Sequence, residues 1–185
     1  SMSRNNIKIG VILQGAETPF MKEVLKGIQE ACAEVDNLGG TVLVHKIEHQ
    51  NAEDVILAME KMRMEEVRGI AMGPLDEERV KREIDRFVEE FRIPVVTFTS
   101  DVEDTKRLCF VGQNGVQCGR AAAGLMGELT GGKGKVAVIS GYSTNTSLSS
   151  RVTGFREEMA RKYPGIEIIG PEYCFEENGR AREIT

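Results

Sequence analysis

The sequence predicts an α/β fold in two lobes, each a doubly wound parallel sheet, with the second lobe incomplete in this chain. Three observations carry this. Apolar strand patterns alternate with amphipathic helix patterns at the roughly thirty-residue spacing of βαβ units. The strands are nearly continuous apolar runs, as expected where helices cover both faces of a sheet. A strand, a polar loop and a helix follow one another twice, at residues 7–35 and again at 136–163. Right-handed crossovers between parallel strands then favour a doubly wound sheet.

Residues 7–13 read as a buried strand. Thr18 is placed to cap a helix over 19–35, Pro19 suits its first position, and Phe20, Val24, Leu25, Ile28, Ala31 and Cys32 recur on one face. Gly39-Gly40 ends that unit and residues 41–47 form the next strand. Asn51 caps a helix to residue 66, with Val55, Ile56, Met59 and Met62 inward. A short strand over 69–72 is followed by the Gly73-Pro74 turn. Asp76 is the expected cap of a helix reaching residue 91, with Val80, Ile84, Phe87 and Phe91 inward, and 94–98 is a fourth strand.

Residues 99–106 are polar and break the cadence. The expected division is therefore an N-terminal lobe over 1–100, a crossing segment over 101–111 and a partial C-terminal lobe over 112–185. A short strand at 108–111 opens the second part, Asn114 caps a helix to about residue 129, and 135–140 is a strand. A helix over 148–163 places Val152, Phe155 and Met159 inward, 166–170 is another strand, and a last helix begins at 177. The chain reads as truncated or as lacking a C-terminal part, and Ser1-Met2 reads as a remnant of expression.

Composition narrows the function. Charged residues are 29% of the chain and hydrophobic ones 41%, with a formal charge of -5, an ordinary globular balance without a Lys/Arg block for nucleic acid. No apolar run has the length of a membrane span. Cys32, Cys109, Cys118 and Cys174 form no C-x-x-C pair, and His45 and His49 are distant from them in sequence, so no metal site is expected. Cys32 and Cys109 read as small buried hydrophobes. Four unpaired thiols favour a reducing, cytoplasmic compartment.

Strand-end loops are where open α/β sheets bind small molecules. Gln14, Glu17, Thr18 and Phe20 occupy the first such loop, with Phe20 offering an aromatic face to the apolar side of a sugar ring. Thr99, Ser100 and Asp101 follow the fourth strand. Asn145, with Thr144, Thr146 and Ser147, lies in the loop after 136–140, and Arg151 is expected in the first turn of the next helix, where the dipole disfavours a cation unless its donors serve a polar ligand. Gly127-x-x-x-x-Gly132-Lys133 imitates a phosphate loop, but Gly134 replaces the hydroxyl residue and a helix precedes it, so it reads as a helix stop. No nucleophile–base pair emerges, so neither catalysis nor a cofactor is expected.

The run Lys8-Ile9-Gly10-Val11-Ile12-Leu13, then Thr18-Pro19-Phe20-Met21 and Gly27-Ile28, resembles the start of the type I periplasmic-binding-protein fold. Arg151-x-x-Gly154-Phe155 resembles the same fold, and Arg107 through Gln113 with Gly119-Arg120 resembles the opening of its second lobe. The resemblance implies two lobes closing on a small polar ligand, commonly a sugar, with Thr18 and Phe20 on one side, Arg151 on the other and Phe175 as a stacking residue. Two branches share the fold. The favoured one is the effector-sensing domain of a LacI-type transcription regulator, homodimeric and contacting DNA only through an absent N-terminal domain, where ligand shifts the population of lobe arrangements. The alternative is the extracytoplasmic solute-binding receptor of a sugar ABC transporter. Gly73, Thr99-Ser100 and Glu17-Thr18 depart from ribose-type receptors, which tend to carry Asn, Asp-Arg and an Asn-rich pair there.

Overall fold

Ile12 and Leu13 are adjacent in sequence and both fully buried, which in a strand requires cover on both faces. The computed structural model describes residues 6–185 and shows how that cover is built; Ser1-Met2 lies outside the described residues. The chain divides into two compact units, Ser1–Val111 and Gly112–Thr185.

In the first unit, strands β1 (Lys8–Gln14), β2 (Thr41–Ile47), β3 (Ile70–Met72), β4 (Val95–Phe98) and β5 (Cys109–Val111) form one sheet in the order β2-β1-β3-β4-β5. Every pairing is parallel. Helix α1 (Pro19–Asn37) covers one face, packing Met21, Val24, Leu25 and Ile28 against Val11 and Leu13. Helices α2 (Ala52–Met64) and α3 (Glu78–Glu89) cover the other, where Val55, Met59, Val80, Ile84 and Phe87 surround Ile12, Met72 and Val95. Fully burying each such side chain contributes about 1.5–3 kcal/mol. Gly10 is needed for the approach of α2, since a Cβ there would lie 2.9 Å from Met62 Sδ.

The caps follow the sequence at three helices. Thr18 accepts from the Met21 amide at 3.3 Å, Asn51 from Asp54 at 2.9 Å and Asn114 from Gln117 at 3.1 Å. They fail at α3, which starts at Glu78 after an N-cap, Glu77, that makes no side-chain cap bond. Asp76 is engaged elsewhere, 2.8 Å from Lys81 Nζ. Two further expectations are corrected. The short strand at 108–111, read as opening the second lobe, is β5 and pairs with β4 in the first sheet. Cys109, read as buried, is exposed.

The second unit contains α4 (Gly115–Leu129), β6 (Gly134–Ser140), α5 (Thr146–Lys162), β7 (Ile166–Tyr173) and α6 (Asn178–Ile184). Strands β6 and β7 pair in parallel. Ala123, Val136, Met159 and Ile166 form its core, with Phe155 and Tyr163 partly buried against it. Ile139 and Ile169 are exposed. Cover on both faces, expected of each lobe, is thus seen in the first unit, whereas the core described for the second lies on one face of its sheet. Helices α4 and α5 meet through glycines. A Cβ at Gly119 would lie 2.0 Å from the Arg151 carbonyl oxygen, and one at Gly154 would lie 2.1 Å from that of Val116. The Gly127–Lys133 run ends α4, with Gly131 and Gly132 at φ of 66° and 75° and the Gly132 amide donating to Gly127 O, the glycine stop read from the sequence.

Candidate functional site

Strand order reverses between β1 and β3, because the chain leaves β1 for β2 on one side and returns to β3 on the other. In open parallel sheets the crevice at the C-terminal ends of such strands is the ligand position. Gln14, the last residue of β1, reaches across this point. Its Nε2 donates to the carbonyls of Gly73 at 2.6 Å and Pro74 at 3.2 Å. Its Oε1 is buried without a hydrogen-bond partner. Gln14 therefore ties β1 to the β3–α3 loop and leaves an acceptor at the switch point.

The rest of that loop divides by exposure. Thr18 is half-buried and spent on its helix: the hydroxyl donates to Gly15 O at 2.9 Å and accepts from Met21. Glu17 is exposed. Phe20 is 64% exposed, so it does not pack α1 onto the sheet as its helical spacing suggested. Met21 takes that inward position.

After β4, Thr99 adopts φ 63°, a left-handed backbone that costs a β-branched residue of order 1–3 kcal/mol and clusters at functional sites. Ser100 is buried. Asp101 is held from several sides. Arg107 Nε and Nη2 grip its two oxygens at 2.7 Å each, Thr97 Oγ1 donates at 2.7 Å and the Val102 amide at 2.8 Å. Burial pushes its carboxyl up, but the hydrogen bonds from Arg107, Thr97 and the Val102 amide, with the Arg107 charge, together hold it below the usual carboxylate range. Asp101 thus anchors the segment after β4.

In the second unit, Asn145 is the N-cap of α5 and accepts from the Ser147 amide at 3.0 Å. Because α5 begins at Thr146, Arg151 lies in its second turn rather than its first, and the dipole penalty expected of it fades there. Arg151 Nη2 donates to Gln113 Oε1 at 3.2 Å. Phe175 is 49% exposed with φ 54°, and Glu176 beside it has φ 61°. The Phe175 ring meets Tyr142 edge-on, centroids 5.6 Å apart. Tyr142 was not singled out in the sequence; its place on the loop directly after β6 is the signal that marks it. Burial first, then the charges of Glu176 and Glu177, push its hydroxyl above the ordinary value. A groove of about 480 Å³ runs between α4, β6 and α5, with Arg151 and Glu176 as its charged residues among Met126, Val136, Ile139 and Phe155.

Both units therefore present polar and aromatic groups at strand ends, where α/β proteins bind small molecules. Among the described residues no cluster suited to holding a metal is found, and no helix is long and apolar enough to cross a membrane. The chain matches the periplasmic binding protein domain over residues 9–185 and belongs to that family, with the type I fold.

A comparison with curated protein sequences finds no significant match. Among solved structures, the chain is similar to GanP, a glucose-galactose binding protein from Geobacillus stearothermophilus, with TM-score 0.85 and 25% identity over 98% of this chain and 63% of that one. It is similar to an ABC transporter solute binding protein from Burkholderia graminis in complex with D-arabinose, at 0.84 and 26% over 96% and 60%. A putative LacI transcriptional regulator from Bacteroides fragilis shares the fold at 0.80 and 21% over 97% and 64%. The chain thus spans 60–64% of the length of these three proteins.

Proposed function

We propose that this chain is the greater part of a sugar-binding solute receptor, holding its ligand with strand-end loops. The observation that carries this is the reversal of strand order beside Gln14, whose unpaired acceptor stands at the switch point. Exposed Phe20 and Phe175 suit the apolar face of a sugar ring, and Arg151 supplies forked donors for its hydroxyls. The nature of GanP and the arabinose-bound protein favours the sugar class. A second reading, the effector domain of a LacI-type regulator, is favoured by Cys32, Cys109, Cys118 and Cys174, all free, since unpaired thiols suit a reducing compartment. In that reading a homodimer would carry DNA-binding heads on a further domain.

Titration calorimetry of the whole protein against D-arabinose, D-galactose, D-glucose and L-rhamnose tests the common part. Arg151→Ala should weaken the preferred sugar at least tenfold while leaving the unfolding midpoint nearly unchanged, because a lost surface head leaves no cavity. Equal affinity in the variant removes Arg151 from the site, and no binding to any of the four sugars refutes the sugar class. The native reading frame upstream separates the two roles: a cleavable leader supports the receptor, a helix-turn-helix segment the regulator.

A further inference from the structure

On the face of the first sheet covered by α2 and α3, two carboxyl groups meet between the helices. Glu60 on α2 and Glu83 on α3 converge there, each with one oxygen 3.7 Å from Arg86 Nη1. A carboxylate only accepts, so two neighbouring carboxyls can bond each other only if one of them holds a proton. The Oε1 atom of each is buried and has no hydrogen-bonding partner. The side chains are 28% and 12% exposed.

The charged groups around the pair come from the same two helices. On α2, Arg63 Nε and Nη2 hold Glu60 Oε2 at 2.9 and 2.7 Å. On α3, Arg86 Nη1 lies 3.7 Å from Glu60 Oε1 and 3.7 Å from Glu83 Oε2, while its Nε is 3.4 Å from Glu90 Oε2. Both guanidiniums lie over the Phe91 ring, 4.5 and 4.8 Å from its centroid. Three carboxyls thus face two fixed cations, and one shared proton leaves the group neutral.

We propose that Glu60 and Glu83 share a single proton and form a latch between α2 and α3 that weakens as pH rises beyond the ordinary carboxylate range. Burial, then the hydrogen bond and charge of Glu60, push Glu83 up to about 7 against the opposing pull of Arg86 and Arg63. Glu60, stabilised first by its bond to Glu83, is held below its ordinary value. A carboxyl whose folded value is raised stabilises the fold fully below its unfolded value, about 4.3. That stabilisation disappears as pH rises through the folded value.

Thermal unfolding of the intact protein between pH 5.5 and 8.5 tests this, with Glu83→Gln as the variant that keeps a donor toward Glu60 at every pH. The wild-type midpoint should fall by about 3–6 °C relative to the variant across that range. Carbon-detected NMR of the wild type should show the Glu83 carboxyl titrating near neutrality. Parallel midpoint curves, or a Glu83 carboxyl titrating in the ordinary range, overturn the proposal. Should the variant not fold, the wild-type titration alone decides.

Discussion

Gly119→Ala adds one methyl group where two helices touch. Its Cβ would stand 2.0 Å from the Arg151 carbonyl oxygen and 2.7 Å from the Phe155 amide nitrogen. An ordinary contact begins at 3.4 Å, so α4 and α5 must separate by more than an ångström, and the obstacle is backbone that cannot rotate away. Overpacking of this kind costs about 1–3 kcal/mol or more, partly offset by the roughly 1 kcal/mol that alanine gains over glycine in a helix. The same helix supplies the control, because a Cβ at Gly124 meets nothing within 4 Å. Gly124→Ala should therefore stabilise by about 0.5–1 kcal/mol, and, since that gain is common to both, the two variants should differ by the overpacking cost of about 1–3 kcal/mol or more. Denaturant unfolding followed by circular dichroism reads this as midpoints moving in opposite directions. If both midpoints rise together, α4 and α5 are not in backbone contact at Gly119 and the packing described for the second unit is wrong. The obstructing carbonyl belongs to Arg151, so the clashing variant should also displace that side chain and weaken ligand binding.

Asp101→Asn should cost about 2–3 kcal/mol by leaving Arg107 without its fork partner at a mostly buried position. Because the folded fold holds this carboxyl low, the stabilisation it gives is present above the unfolded value near 4 and is lost as pH falls through the folded one. Acid titration should therefore bring wild type and variant together at low pH, and a gap that stays constant refutes the ion pair. Phe87→Ala removes a ring that is fully buried and edge-on to Phe91 at 5.4 Å, and urea unfolding should show a loss of about 3–5 kcal/mol. A loss below 1 kcal/mol would mean that Phe87 is not in the core.

Local chemistry was legible in the sequence and long-range choices were not. Thr18, Asn51 and Asn114 are short polar residues just before an apolar helical stripe, and each caps the helix it precedes. Asp76 has the same credentials, yet Lys81 competes for it, and that competition depends on how α3 turns. The three residues of β5 have a strand pattern, but which sheet they join is decided by a backbone partner in β4 that no local pattern names. Gly119 and Gly154 stood out as part of a family resemblance, while their purpose appears only where one helix lies against another. At the candidate site, the loops after β1, β4 and β6 were visible as polar stretches between an apolar strand and a helix. The division of labour inside them was not: Asp101 is gripped by Arg107, and Asn145 is a cap. The Glu60–Glu83 contact was hidden because each residue taken alone reads as a solvated helix charge.

The order β2-β1-β3-β4-β5 also has a consequence for biosynthesis. Strand β1, flanked on both sides in the sheet, is the first of its strands to be translated. Its apolar run from Ile9 to Leu13 needs β2 on one side and β3 on the other. Ribosomes add about 5–20 residues per second, so β3 follows β1 by roughly 3–12 s. During that interval this apolar strand has no complete place to go. A nascent chain of this design should be a client of chaperones that bind short apolar stretches, and slowing translation between residues 14 and 72 should lower its soluble yield.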